Sequence, residues 1–181
     1  MARRVRIRRV IDGDSLEVKY GGLFSFLRKP FPVRLYGIDA PELAQPYGQE
    51  SRKQLETLVR RGGIRLDVVA TDRYGRTVGL LYRRRRAQSV NVEMVRSGMA
   101  WWYRRYGGRD LGFPEAEAEA KRRRRGVWRH GDRIRRPWDY RADLRRTRQR
   151  RGRIRRVLTW MLIGGFAIAL AGLALAIMTL L

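Results

Sequence analysis

Asp14, Arg34, Asp39, Glu42 and Arg76 place three carboxylates and two guanidiniums in short segments that read as strand ends and turns. The surrounding chain is strongly basic, with 42 Lys and Arg against 17 Asp and Glu. Acids gathered at Asp12-Gly13-Asp14 and Asp39-Ala40-Pro41-Glu42 therefore read as retained for chemistry. Hard carboxylate oxygens hold divalent cations, a further carboxylate moves a proton, and guanidiniums pair with phosphate oxygens. That mixture is what metal-assisted cleavage of a phosphodiester requires. The plainer reading makes the same acids surface partners of abundant arginines, a role that contributes little to stability. Asp12 reads as turn chemistry, Arg34 also as a barrel-lining ion-pair residue, and Arg76 also as a turn residue.

The elements that must position these groups follow from periodicity. Arg4 to Ile11 alternates arginine with apolar residues, and Ser15 to Tyr20 repeats a period of two, with Asp12-Gly13 as a tight turn between them. Val33 to Tyr36 reads as a third strand, after which Pro41 stops strand pairing. From Tyr47 to Arg60 the apolar Leu55, Leu58 and Val59 share one face of an amphipathic helix that Gly62-Gly63 ends. Ile64 to Ala70 and Val78 to Tyr82 are two further strands around the turn Thr71 to Arg76. A short helix over Ser89 to Ser97 is capped by Gly98, and a third helix starts near Pro114 and finishes before Gly126. Its acidic start and basic finish complement the helix dipole. Five strands with a helix after the third fit an α+β fold built on the small Greek-key (OB-fold) barrel that binds oligonucleotides across one face. Trp101 and Trp102 read as core, and His130 as a solvated side chain.

The chain has 181 residues and a formal net charge of +25, with an isoelectric point near 11.7. Length allows one domain of about 100 to 200 residues plus an appendage. The charge calls for a polyanionic partner, nucleic acid or anionic lipid; the alternative is a general arginine enrichment of the surface without a specific target. With no cysteine, disulfides, thiolate metal sites and a cysteine nucleophile are excluded. Val157 to Leu181 is an uncharged apolar run of about 25 residues, long enough to span a bilayer. About a dozen arginines between Arg133 and Arg156 precede it, so the positive-inside bias keeps the N-terminal domain cytoplasmic. The expected organisation is a folded domain over 1–140, an arginine-rich juxtamembrane linker over 141–156 that can lie on an anionic lipid surface, and a single transmembrane helix over 157–181.

Four segments in series, VIDGDSLEV, VRLYGIDAPE, TDRYGRTVGLLY and VNVEMVRSGMAWWYRRY, resemble the staphylococcal-type thermonuclease family over about two thirds of the chain. The resemblance implies an oligonucleotide-binding barrel with one calcium ion near Asp14, Asp39 and the backbone carbonyl of Ala40. It implies that Glu42 orients or deprotonates the attacking water, while Arg34 and Arg76 hold the scissile phosphate and neutralise growing charge. Tyr106 aligns with a base-stacking aromatic, and Arg73 and Tyr74 join it as substrate-facing candidates, although Asp72, Arg73 and Tyr74 also read as residues that shape their turn. Three departures stand out. Ala40 replaces a threonine, GGLFSFLRKPFP lengthens the segment before Arg34, and Arg104 falls where a second tyrosine is expected.

These observations give a membrane-tethered, calcium-dependent nuclease acting on single-stranded or locally opened DNA and RNA, with family precedent for products bearing a 3′-phosphate. No obligate protein partner is implied. The rival is a non-catalytic, tail-anchored barrel that holds nucleic acid or a partner by charge and aromatics alone. A binder gains nothing from carboxylates that repel phosphate, and that favours the enzyme.

Overall fold

The computed structural model describes residues 2–22, 27–106, 108, 111–154 and 159. Two strands, β1 (Arg3–Val10) and β2 (Ser15–Tyr20), form an antiparallel hairpin, and β3 (Phe31–Leu35) pairs antiparallel with β2. The next element, β4 (Ile38–Asp39), is a two-residue strand, followed by helix α1 (Gly48–Val59) and a second hairpin of β5 (Ile64–Thr71) and β6 (Thr77–Tyr82). Parallel pairing of β3 with β6 and antiparallel pairing of β1 with β5 close the barrel in the order β1-β2-β3-β6-β5. The five expected strands are all present.

Alternation decides what the barrel encloses. Leu16, Val18, Val33, Leu35, Ile64, Leu66 and Leu81 are inside and almost fully buried, whereas Arg34 and Glu17 lie on the outer face. Helix α1 covers one end of the barrel core with Leu55, Leu58 and Val59. It starts without a side-chain cap: Tyr47 adopts a left-handed conformation (φ 67°), and Gly48 lies so close to the Glu42 carbonyl that a Cβ would overlap it.

Helix α2 (Val90–Arg96) is capped by Ser89, whose Oγ accepts from Val92 N–H, and ends at Gly98 in the left-handed region. Strand β7 (Trp101–Trp102) then pairs antiparallel with β4, and helix α3 (Phe113–Arg122) packs on α2. Trp101 and Trp102 are buried, as expected of core residues.

The chain divides into compact units at Met1–Pro137 and Trp138–Leu181. Residues 137–154 are helical. The expected transmembrane helix over 157–181 lies outside the described residues, apart from residue 159. Among the described residues no helix is long and apolar enough to cross a membrane.

Candidate active site

Asp14 enters the site from the β1–β2 turn. Asp12 shapes that turn by accepting Asp14 N–H at 2.9 Å, a local Asx turn, which fits the structural role read for it. Gly13 is required by close approach, since a Cβ would overlap Ser51 of α1 and the Ala40 side chain. The turn is thereby pressed against the segment that carries Asp39. The Asp14 carbonyl accepts Leu35 N–H at 2.7 Å, and its Oδ2 accepts Ala40 N–H at 2.7 Å.

Asp39 belongs to β4 and is fixed by its pairing with Trp101. Asn91 secures the preceding corner from within the core. Its amide donates to the Tyr36 and Gly79 carbonyls and its Oδ1 accepts Leu81 N–H. Asp14 and Asp39 are each 2% exposed. Arg34, opposite Ser15 in the barrel register, bridges them: Nη1 lies 2.6 Å from Asp14 Oδ1 and Nη2 lies 2.6 Å from Asp39 Oδ1.

The electrostatics of this group are lopsided. Burial pushes the Asp14 carboxyl up to about 7, and nearby Asp12 adds to the rise, against the pull of Arg34 and the Ala40 N–H. Burial also works against the Arg34 charge, but Asp14 and Asp39 outweigh it and hold its pKa above the ordinary value. Two buried carboxylates thus share one guanidinium, leaving the pocket short of positive charge near neutral pH. Among the described residues no three acidic or imidazole side chains converge. The two that do, with the main-chain oxygens of their loop, form an all-oxygen donor set suited to a hard divalent cation.

Glu42 follows Asp39 on the same loop, after Ala40 and Pro41. Its N–H donates to Gln45 Oε1 at 2.9 Å, its carbonyl accepts Gln45 N–H at 2.8 Å, and Gln45 Nε2 donates to the Arg135 carbonyl at 3.1 Å. Gln45 therefore fixes the backbone from which the Glu42 carboxylate starts.

Arg76 ends the β5–β6 turn. Asp72 accepts Tyr74 N–H and Arg76 N–H at 2.9 Å and the Arg76 Nε at 2.8 Å. Burial works against the Asp72 charge, but the hydrogen bonds from Arg76 and Tyr74 hold its pKa below the ordinary value. Arg34 sits opposite Val78 in the parallel β3–β6 register. Arg76 lies two residues before Val78, just ahead of β6. Tyr74 is 71% exposed, with the Arg73 and Arg76 guanidiniums 5.1 and 5.7 Å from its ring centre. Tyr106 is 58% exposed and its ring lies 5.5 Å from that of Tyr103, whose N–H donates to the Gly37 carbonyl beside β4.

Asp14, Arg34, Asp39 and Ala40 form one cluster, Glu42 shares the loop of the last two, and Arg76 with Arg73 and Tyr74 occupies the neighbouring turn. Sequence reasoning did not find Gln45, Ser51 or Asn91 as positioning residues. Only the small Gly13 opposite Ser51 hinted at such a close approach.

Residues 32–130 match the sequence model of the family described as Staphylococcal nuclease homologue. The match includes Arg34, Asp39, Glu42 and Arg76 and begins after Asp14. The chain is similar to a protein named Micrococcal nuclease from Shigella flexneri, 36% identical over 146 residues that cover 76% of this chain and 80% of that protein. It is similar also to an uncharacterized endonuclease of Escherichia coli, 38% identical over 136 residues covering 75% and 83% of the two chains. A probable staphylococcal-like nuclease of Oryza sativa subsp. japonica is 38% identical over 123 residues, 68% of this chain and 32% of the plant protein.

Proposed function

The chain belongs to the staphylococcal nuclease family and hydrolyses phosphodiester bonds, and from that premise we propose that it is a calcium-dependent nuclease using Asp14, Asp39, Glu42, Arg34 and Arg76. The observation that carries this reading is the Arg34 bridge between two buried carboxylates, 2.6 Å to each. Asp14, Asp39 and the carbonyl oxygen of Ala40 would hold calcium. When bound, that ion supplies Lewis-acid polarisation of the phosphodiester and a template for its oxygens.

The remaining chemistry belongs to the side chains. Glu42 accepts a proton from the attacking water, whose oxygen forms the new bond to phosphorus while the bond from phosphorus to the 5′-oxygen breaks and that oxygen takes a proton from solvent. The products are a 3′-phosphate and a 5′-hydroxyl. Arg34 and Arg76 face the non-bridging oxygens, where negative charge grows toward the transition state. A guanidinium has five N–H donors, so holding two carboxylates does not exhaust Arg34. Exposed Tyr74 and Tyr106, with Arg73, supply flanking contacts to bases and phosphates of a single-stranded or locally opened DNA or RNA.

The full-length chain should cleave an end-labelled single-stranded oligonucleotide with calcium and stop with chelator. Glu42→Gln should lose most turnover while retaining calcium binding. Undiminished turnover in Glu42→Gln would remove its proton-accepting role.

The uncharged run over 157–181 supports a second part of the proposal, a single-pass C-terminal anchor. The nuclease domain, 1–140, would stand on the cytoplasmic side, joined through the basic segment 141–156. The chain should then stay with membranes through alkaline carbonate extraction, and truncation before Val157 should release it.

A further inference from the structure

The arginines of β1 have no part in the site described above. Arg4, Arg6 and Arg8 are exposed. Basic residues often blunt an unpaired sheet edge, but Arg4 lies where β1 is paired with β5, over Arg3–Val5, and past Val5 that flank of β1 borders the groove beside α1. Nor does pairing within the sheet favour them. Arg4 lies directly opposite Arg65 of β5, and Arg6 directly opposite Lys19 of β2. Like charges facing each other across a ladder are destabilising.

These residues line one wall of a groove of about 630 Å³ between β1 and α1, with Arg52 and Arg60 on the opposite wall. Two of the groove's cations are neutralised, Arg9 by Glu17 at 2.9 Å and Arg52 by Glu56 at 3.0 Å. Among the described residues Arg4, Arg6, Arg8 and Arg60 have no acidic partner. An irregularity in the β1 register between Ile7 and Arg9 falls at Arg8. The groove reaches Val10, next to the turn that delivers Asp14, and α1 meets the same turn through Ser51 at Gly13. Between Arg4 and Val10 an extended strand covers about 20 Å.

We propose that this groove is a second nucleic-acid track, holding the sugar–phosphate backbone of the substrate strand beyond the cleavage site. The proposal rests on the nuclease reading for its ligand. Backbone phosphates remove the like-charge cost that the fold otherwise bears, and contact with phosphate alone makes the track independent of sequence. A concave channel continuous with the turn of Asp14 suits a strand better than a flat lipid surface.

The test is the triple variant Arg4→Gln/Arg6→Gln/Arg8→Gln in the full-length chain. Binding of a fluorescent 30-nucleotide single strand, followed by anisotropy in chelator, separates binding from cleavage. Affinity should fall about tenfold at low salt, and the slope of log affinity against log salt should shrink by about 2, the value for three phosphate contacts on a single strand. With calcium, kcat/KM on the long strand should fall while that on a trinucleotide stays unchanged. Without ligand the variant should melt no lower than the parent. An unchanged salt slope would overturn the proposal. So would equal losses on long and short substrates, or intact nucleic-acid binding with lost binding to phosphatidylglycerol vesicles. A reduced slope in a protein that cleaves nothing with calcium would support the track while overturning the calcium-nuclease reading.

Discussion

Arg34 and Arg76 are given the same task, yet the two regions that hold them are built differently. Arg34 sits on a barrel strand between two buried acids, with its side chain 22% exposed. Arg76 sits at the end of a turn on one acid, with its side chain 34% exposed. In the first region the guanidinium is part of the architecture, because it neutralises two buried acids at once, 2.6 Å from each. In the second the acid serves the arginine, since Asp72 builds the turn with two backbone hydrogen bonds and steadies the guanidinium with a third. A guanidinium can therefore be held by a buried network or by a local turn, and the two arrangements differ in what they cost when broken.

Arg34→Ala should have the largest effect. Turnover should fall by about two to three orders of magnitude, and urea unfolding should show a loss of about 3 to 5 kcal/mol from breaking a buried ion pair. Arg76→Ala should lower turnover by a similar two to three orders of magnitude while shifting stability by less than about 1 kcal/mol, as expected for a partly exposed pair. Equal stability losses in the two variants would break the contrast.

A pH series sharpens it. Folded Asp14 titrates near 7 against an ordinary 3.8, so between those values the folded state binds more protons than the unfolded one. Stability in chelator should therefore fall as pH rises through that window, the reverse of a carboxylate whose pKa is lowered on folding. Urea midpoints at pH 5 and 7.5 check this, and Asp14→Asn should flatten the difference. Asp72 has the opposite sign. Its folded pKa is lowered, so its contribution is present above the ordinary value and lost as pH falls. Asp72→Asn should lose about 1 kcal/mol through the weakened turn hydrogen bonds, read as a modest drop in melting temperature.

The barrel was legible because its strands alternate cleanly and Gly and Asp mark their turns. The two-residue strands β4 and β7 were not. Their pairing of Ile38 with Trp102 and Asp39 with Trp101 is too short to show a period and joins segments distant in sequence. The start of α1 carried no Ser, Thr, Asp or Asn cap, because a left-handed Tyr47 and a close-packed Gly48 do that work. Asp14, Arg34 and Asp39 could be nominated from residue type, but their convergence depends on the β2–β3 register and on Gly13 lying against Ala40. The three hydrogen bonds of Asn91 and the Gln45 bridge to Arg135 are long-range contacts of ordinary polar residues, and no local pattern announces them.

Calcium titration of thermal stability at pH 8 tests the central claim most directly, with the full-length parent and Asp39→Asn compared side by side. The account predicts that calcium raises the melting temperature of the parent and leaves that of Asp39→Asn nearly unmoved. Equal shifts in the two proteins would place the ion elsewhere and contradict it.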